Sequence, residues 1–314
     1  MENHRSLRHL LTVLAALLVL MLLASAVGHA VYSLLYSKTY EANYRDKLHR
    51  LSTLEGEKAV FIGGSSCMFG IQSALFEEQT GIPSVNMAIS YGIPIRLYLD
   101  SADPHLKAGD KLFFALEYGG YSSDWDGFGN AAVNFLLYSD PSVLKKLSLS
   151  QVLQLVPDLL SYGWANWENS VQELIRYYLL GGFGVYGRNS LNENGDMIAT
   201  KGLPNEPGIT GGSMNYKDNG TAEIIHRRLA ELADRGVEVY IVYEPLMEGR
   251  LTPGIPWLHG QILGWDEVTV LFAPDELRYP QTSYFNSDQH LDYETAQEHT
   301  QRIIDRYKEV TSTP

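Results

Sequence analysis

The chain has one cysteine, Cys67, among 314 residues, so an intramolecular disulfide is excluded. Stability must come from a hydrophobic core, which a chain of this length can supply. Basic residues are also few, with 24 Lys and Arg against 37 Asp and Glu. Three of the basic and one of the acidic residues fall before residue 41, so the remainder carries a formal charge of −15. Such a surface argues against nucleic acid as a partner and against docking flat on an anionic lipid face. The nine histidines are scattered without an H-x-x-x-H pair, so no metal site and no cofactor are expected. Internal repeats and low-complexity tracts are absent too. What the chain has in surplus is tyrosine, 20 residues, which suits half-buried packing and also carbohydrate or interface surfaces.

Charge is missing most conspicuously near the N-terminus. Residues 10–27 read LLTVLAALLVLMLLASAV, and no Lys or Arg recurs until Lys38. At about 1.5 Å per residue this run nearly crosses a hydrocarbon core of ~30 Å, and residues 28–32 complete it. Arg5 and Arg8 precede the run, which places the N-terminus in the cytoplasm and the rest outside. The competing reading is a cleaved signal peptide, since Ala24-Ser25-Ala26 has the small residues of a cleavage site. The run is longer than the ~7–15 residues usual for a signal peptide, which favours a retained single-pass anchor in the cell membrane. The chain then divides into a cytoplasmic tail (1–9), a transmembrane signal-anchor (10–32), a polar linker (33–56) and an extracytoplasmic domain (57–314).

Five apolar runs in that domain predict buried strands, at 58–62, 84–87, 111–116, 237–243 and 268–272. Helical patterns lie between most of them, near 72–80, 95–108 and 221–235, with a last one at 293–307. Alternation of helices with continuously apolar strands predicts a parallel sheet covered on both faces. The segment at about 119–216 breaks the rhythm with helical stretches at 141–160 and 166–180 and the tract GGFGVYGRNSLNENGD. It reads as an insertion above the carboxyl edge of the sheet, where α/β folds bind ligands.

The first strand runs into GGSSCMFG, Gly63 to Gly70. A strand that stops at a glycine pair and turns into a helix presents its turn residues, and the new helix's N–H groups, at that edge. Ser65, Ser66 and Cys67 are the candidate nucleophiles. Near the C-terminus, NSDQHLDYETAQEH sets Asp288 and His290 in a loop just before the last helix. In a parallel sheet the first and last of these loops share one edge, so a serine and a histidine base can meet there.

These pieces resemble the SGNH/GDSL hydrolase superfamily. The resemblance is to its membrane-anchored bacterial branch, which includes the protein of teichoic acid D-alanylation and relatives in polysaccharide O-acylation. The family's first block has a glycine four residues after the nucleophilic serine. By that register the resemblance selects Ser66, which has Gly70 at +4, leaves Ser65 in the slot of the family's Asp, and gives Cys67 no catalytic role. VNMAISYGIP is similar to the second block, whose glycine gives an oxyanion N–H; the position falls at Tyr91 or Gly92. The third block departs, with Glu117 and Tyr118 where the family carries an oxyanion-assisting Asn. An ionised carboxylate cannot stabilise an oxyanion, so Glu117 is expected as a hydrogen-bond acceptor or a substrate hydroxyl partner. The last block of the family is Asp-x-x-His, which from His290 falls on Ser287. That leaves three arrangements: Asp288 orients the ring, Ser66 and His290 work as a dyad, or a backbone carbonyl replaces the acid.

The resemblance implies a three-layer α/β/α sandwich with a flavodoxin-like, five-stranded parallel sheet ordered 2-1-3-4-5. It implies acyl transfer or ester hydrolysis through an acyl-serine, on O-acyl groups of an envelope polysaccharide or teichoic acid. The implied partner is a multipass membrane O-acyltransferase. A catalytically silent accessory that binds polymer or scaffolds an acylation complex is the alternative, favoured by the replaced Asn and the shifted acid.

Overall fold

The computed structural model of the chain describes residues 2–206, 208–209, 216–250 and 252–312. Parts of the expected insertion, at 207 and 210–215, lie outside the described residues. In chain order the elements are α1 (Glu2–Tyr36), α2 (Tyr44–Thr53), β1 (Ala59–Gly63), α3 (Ser65–Gly70), α4 (Ser73–Thr80), β2 (Ser84–Asn86), α5 (Ile95–Ala102) and β3 (Lys111–Ala115). There follow α6 (Asn130–Asn134), α7 (Leu149–Leu180), α8 (Thr221–Ala233), β4 (Glu238–Ile241), β5 (Leu246–Met247), α9 (Ile255–Ile262), β6 (Val268–Val270), β7 (Arg278–Tyr279) and α10 (Tyr293–Ser312).

The five expected strands form one parallel sheet in the order β2-β1-β3-β4-β6. Every residue of β1 and β3 is buried, which is why their sequences run apolar without alternation. Register explains much of the core. Phe61, Phe113 and Tyr240 are directly paired across three strands and stack face to face, at centroid separations of 4.6 and 5.1 Å. Phe76 of α4 and Tyr307 of α10 meet this ladder edge-on and each other at a tilt. Aromatic pairs in such geometries add ~0.5–1.5 kcal/mol each beyond area burial. At the other end of the strands the buried Lys58–Asp110 pair (2.6 Å) ties the start of β1 to the turn before β3. A two-stranded parallel ribbon of β5 and β7, not foreseen from the sequence, lies beyond the carboxyl edge.

Two expectations about the N-terminal half are corrected. The polar stretch at 33–56 is not a spacer. Its helix α2 buries Tyr44, Lys47 and Leu51, and the Lys47 ammonium donates to the Ala88 carbonyl. The two helical stretches expected in the insertion are one 32-residue helix, α7, from Leu149, preceded by a 3-10 turn at Pro141–Lys146. α7 lies along α1. The Ser25 hydroxyl donates to the Leu159 carbonyl at 3.2 Å, and the His29 ring bonds the same oxygen at 2.9 Å. Gly28 and Gly163 face each other at the crossing, where a Cβ on either would collide with the other helix. α1 itself is long and apolar enough to cross a membrane.

Candidate active site

Both glycines before the serine pair are there for space. Neither has a positive φ. A Cβ on Gly63 would strike the Ala115 carbonyl of the neighbouring strand, and one on Gly64 would strike the Glu117 carboxylate. α3 starts at Ser65, directly after them. Asn86, at the end of β2, clamps this short helix by donating to the carbonyls of Cys67 (3.3 Å) and Ile71 (3.1 Å).

The three candidates separate by environment. Cys67 is buried against Asn86, and burial pushes its thiol well above the ordinary range, so it is an inert packing residue. Ser66 is only 1% exposed, and its hydroxyl has no hydrogen-bond partner of standard geometry among the described residues. Ser65, expected only to fill the slot of an acid, is the half-buried member that reaches the surface. Helical spacing sharpens the contrast, because residues four apart share a face. Ser65 is in line with Phe69, on which the His290 ring stacks at 4.1 Å and 9°. Ser66 is in line with Gly70, which faces Leu291 and the ring of His299. The histidine therefore shares its helix face with Ser65 more closely than with Ser66.

His290 has an orienting partner, but Asp288 is not that partner. Its Nδ1–H donates to Asn286 Oδ1 at 2.8 Å, and Asn286 Nδ2 donates to the Tyr186 hydroxyl at 2.7 Å. This sets the tautomer that leaves Nε2 as the free acceptor. Asp288 instead pairs with Arg250 at 3.0 Å. The reason is geometric: the backbone turn from Ser287 O to His290 N folds the residue at −4, not that at −2, under the ring. Burial, with no carboxylate opposing it, lowers the His290 pKa to about 4, so the ring is neutral at pH 7.

Glu117 is a strap on the nucleophile turn. Its carboxylate accepts the N–H of Gly64 on one oxygen and that of Ser66 on the other, both at 3.0 Å. The Ser66 N–H, one of the new helix's N–H groups at that edge, is thus occupied. Gly92 is likewise engaged, its N–H donating to Ser90 Oγ at 3.2 Å. Tyr91 is 45% exposed and lays its hydroxyl over Gly119, while Tyr118 is buried and stacks on Tyr243 at 5.4 Å. Tyr91, Gly92, Glu117 and Gly64 line one cavity of about 260 Å³; neither Ser66 nor His290 does.

Glu244 was not singled out in the sequence. It follows β4 as Glu117 follows β3, so two buried glutamates sit at neighbouring strand ends on one edge. Burial first, then the charge of Glu117, raises Glu244 well above the carboxylate range, and burial also raises Glu117. The signal was there, a carboxylate directly after a buried strand in VYIVYE. Asn286 and Tyr186 carried none that stands out from loop composition. Among the described residues no group of His, Cys, Asp and Glu converges to hold a metal ion. Comparison with protein-family models, with curated proteins and with solved structures finds no match to this chain.

Proposed function

We propose that this chain is a membrane-anchored acyl esterase or acyltransferase of the SGNH type, its domain outside the membrane in a three-layer α/β/α sandwich. One observation carries the reading: a neutral histidine, oriented through Nδ1 by Asn286, is stacked on the short helix that opens with the serine pair. In the proposed reaction Ser65 Oγ bonds to the acyl carbon while its proton passes to His290 Nε2. The alcohol oxygen of the donor ester then leaves with that proton, giving acyl-Ser65. Water or a second hydroxyl attacks in turn, loses its proton to Nε2 and releases the serine. The substrate class, an O-acyl group on an envelope polysaccharide or teichoic acid, comes from the family resemblance. So does the proposed partner, a multipass membrane O-acyltransferase.

The strap on Gly64 and Ser66 favours a second reading, a silent accessory that binds polymer or scaffolds an acylation complex. Fluorophosphonate labelling of the full-length protein in detergent decides between them. The wild type and Ser66→Ala should label, and Ser65→Ala and His290→Ala should not. An unlabelled wild type, together with unchanged envelope acylation in cells carrying Ser65→Ala or Ser66→Ala, leaves only the accessory.

A further inference from the structure

A second cavity, of about 400 Å³, lies where the C-terminal end of α1 meets α7, within the ~300–1,000 Å³ usual for small-molecule sites. Its walls are aromatic, with the rings of Tyr32, Tyr40, Tyr162 and Tyr186 among them. Several of its buried polar atoms lack a hydrogen-bond partner among the described residues. Asn166 on α7 is fully buried, yet neither its Oδ1 nor its Nδ2 has a hydrogen bond of standard geometry among the described residues; the nearest polar neighbour is the Tyr162 hydroxyl one turn back. Glu41 Oε2, also lining, is buried and has no hydrogen-bond partner among the described residues. One turn further along α7 the buried Ser170 hydroxyl has no partner among the described residues either. Behind the wall, Asn134 Nδ2 holds the hydroxyls of Tyr32 (3.1 Å) and Tyr162 (2.9 Å), which fixes both rings.

Native proteins seldom leave so many buried polar atoms unmet in one place, because each costs about as much as a lost hydrogen bond. We infer that this cavity binds an uncharged, hydroxyl-rich group, a sugar ring, whose hydroxyls both donate to Asn166 Oδ1 and Glu41 Oε2 and accept from Asn166 Nδ2. An anion brings only acceptors and would face two acceptor oxygens. An ammonium brings only donors and would leave the amide N–H groups unmet. Among the described lining residues there is no Lys or Arg to neutralise an anion. Burial raises the Glu41 carboxyl to about 7, so Glu41 itself carries less than a full negative charge at neutral pH; the second lining carboxylate, Glu173, adds to the repulsion of an anion.

The cavity touches the candidate active site through one residue. Tyr186 lines it, meets Tyr40 at 5.3 Å and Phe69 at 6.4 Å, and accepts from the Asn286 amide that orients His290. A sugar bound here lies beside the histidine's support and serves as an acceptor subsite. That role rests on the proposed acyl transfer; the binding itself does not.

The test uses the full-length Ser65→Ala/Ser66→Ala variant in a polyoxyethylene detergent, which carries neither sugar nor ammonium. Binding is read by saturation-transfer NMR with free maltose, with a glucosyl diacylglycerol in mixed micelles, and with choline. We expect one sugar or both to be saturated, the pair showing whether the sugar arrives free or on a lipid. Adding Asn166→Leu should weaken binding by about tenfold or more while leaving the melting temperature unchanged or higher, since an unmet buried amide is removed. Saturation of neither sugar, of choline alone, or of sugar undiminished by Asn166→Leu overturns the inference. A lowered melting temperature in Asn166→Leu, showing that the amide serves the fold, does so too. Because this variant has no serine nucleophile, binding here with an unlabelled wild type would sink the enzyme reading and leave the site standing.

Discussion

Glu117 and Gly64 are one device at the residue scale. The carboxylate fits over the turn only because position 64 has no side chain, and it satisfies two N–H groups that would otherwise be buried unmet. Gly64→Ala should cost ~1–3 kcal/mol, the usual range for an overpacked site. In a Glu117→Ala background the same change should cost much less, since the clashing atoms are gone. Urea unfolding of the four proteins in a double-mutant cycle measures the coupling, and additive costs would refute the strap. Asn286 offers a gain instead of a loss. Asn286→Asp puts a carboxylate on Nδ1–H, which should raise the His290 pKa by roughly 1–3 units from about 4. Titration of the His290 ring by NMR reads the shift directly, and fluorophosphonate labelling should become faster at neutral pH. A His290 pKa that stays put would show that Asn286 does not hold the ring in solution.

Among the elements, the pairing of α1 with α7 depends on two glycines. A side chain at Gly163 meets Ser25 and His29 of α1, so the helices can approach only while that position is bare. Gly163→Val should part them. Limited proteolysis of the detergent-solubilised protein should then cut within 149–180 several times faster than in the wild type, while the sheet persists by circular dichroism. An unchanged cutting rate would mean that the contact contributes nothing to the helix's order. This pairing also marks where the sequence stops being legible. β1 to β4 are readable because a strand buried on both faces needs an apolar run, and Phe61, Phe113 and Tyr240 lie in three such runs; the edge strand β6, expected to be buried, is partly exposed and is marked only by its short apolar run. The sequence pattern splits α7 at 161–165, but the helix runs unbroken through Pro157 and Gly163. They are tolerated because α1 covers that stretch, a tertiary contact that local propensity does not encode. His290 and the serine turn were legible as a pair for a topological reason, since first and last loops of a parallel sheet share an edge. Asn286 was not, because the choice among −2, −3 and −4 is made by the backbone turn after Phe285.

For the whole molecule, the buried titratable groups set an acid response of mixed sign. Burial lowers His290 to about 4 and His299 to about 3, against 6.5 unfolded. As pH falls below 6.5 the unfolded chain takes up these protons and the fold does not, so this contribution is full above 6.5 and is lost toward pH 4. The slope is up to ~1.4 kcal/mol per pH unit for each histidine. Glu117 and Glu244 act the other way, because burial raises both. Their folded forms bind protons that the unfolded chain has already released above about 4.5, so they cost stability at high pH and return it as pH falls through their raised values. His299→Gln, with the Tyr279 hydroxyl still in reach, should make the fall in stability between pH 6.5 and 4.5 shallower. Glu244→Gln should raise stability at pH 8 and make the same fall steeper. Urea midpoints across this range measure both slopes. If the two variants shift the slope in the same direction, the buried carboxyls and imidazoles do not hold opposite proton balances in the folded chain.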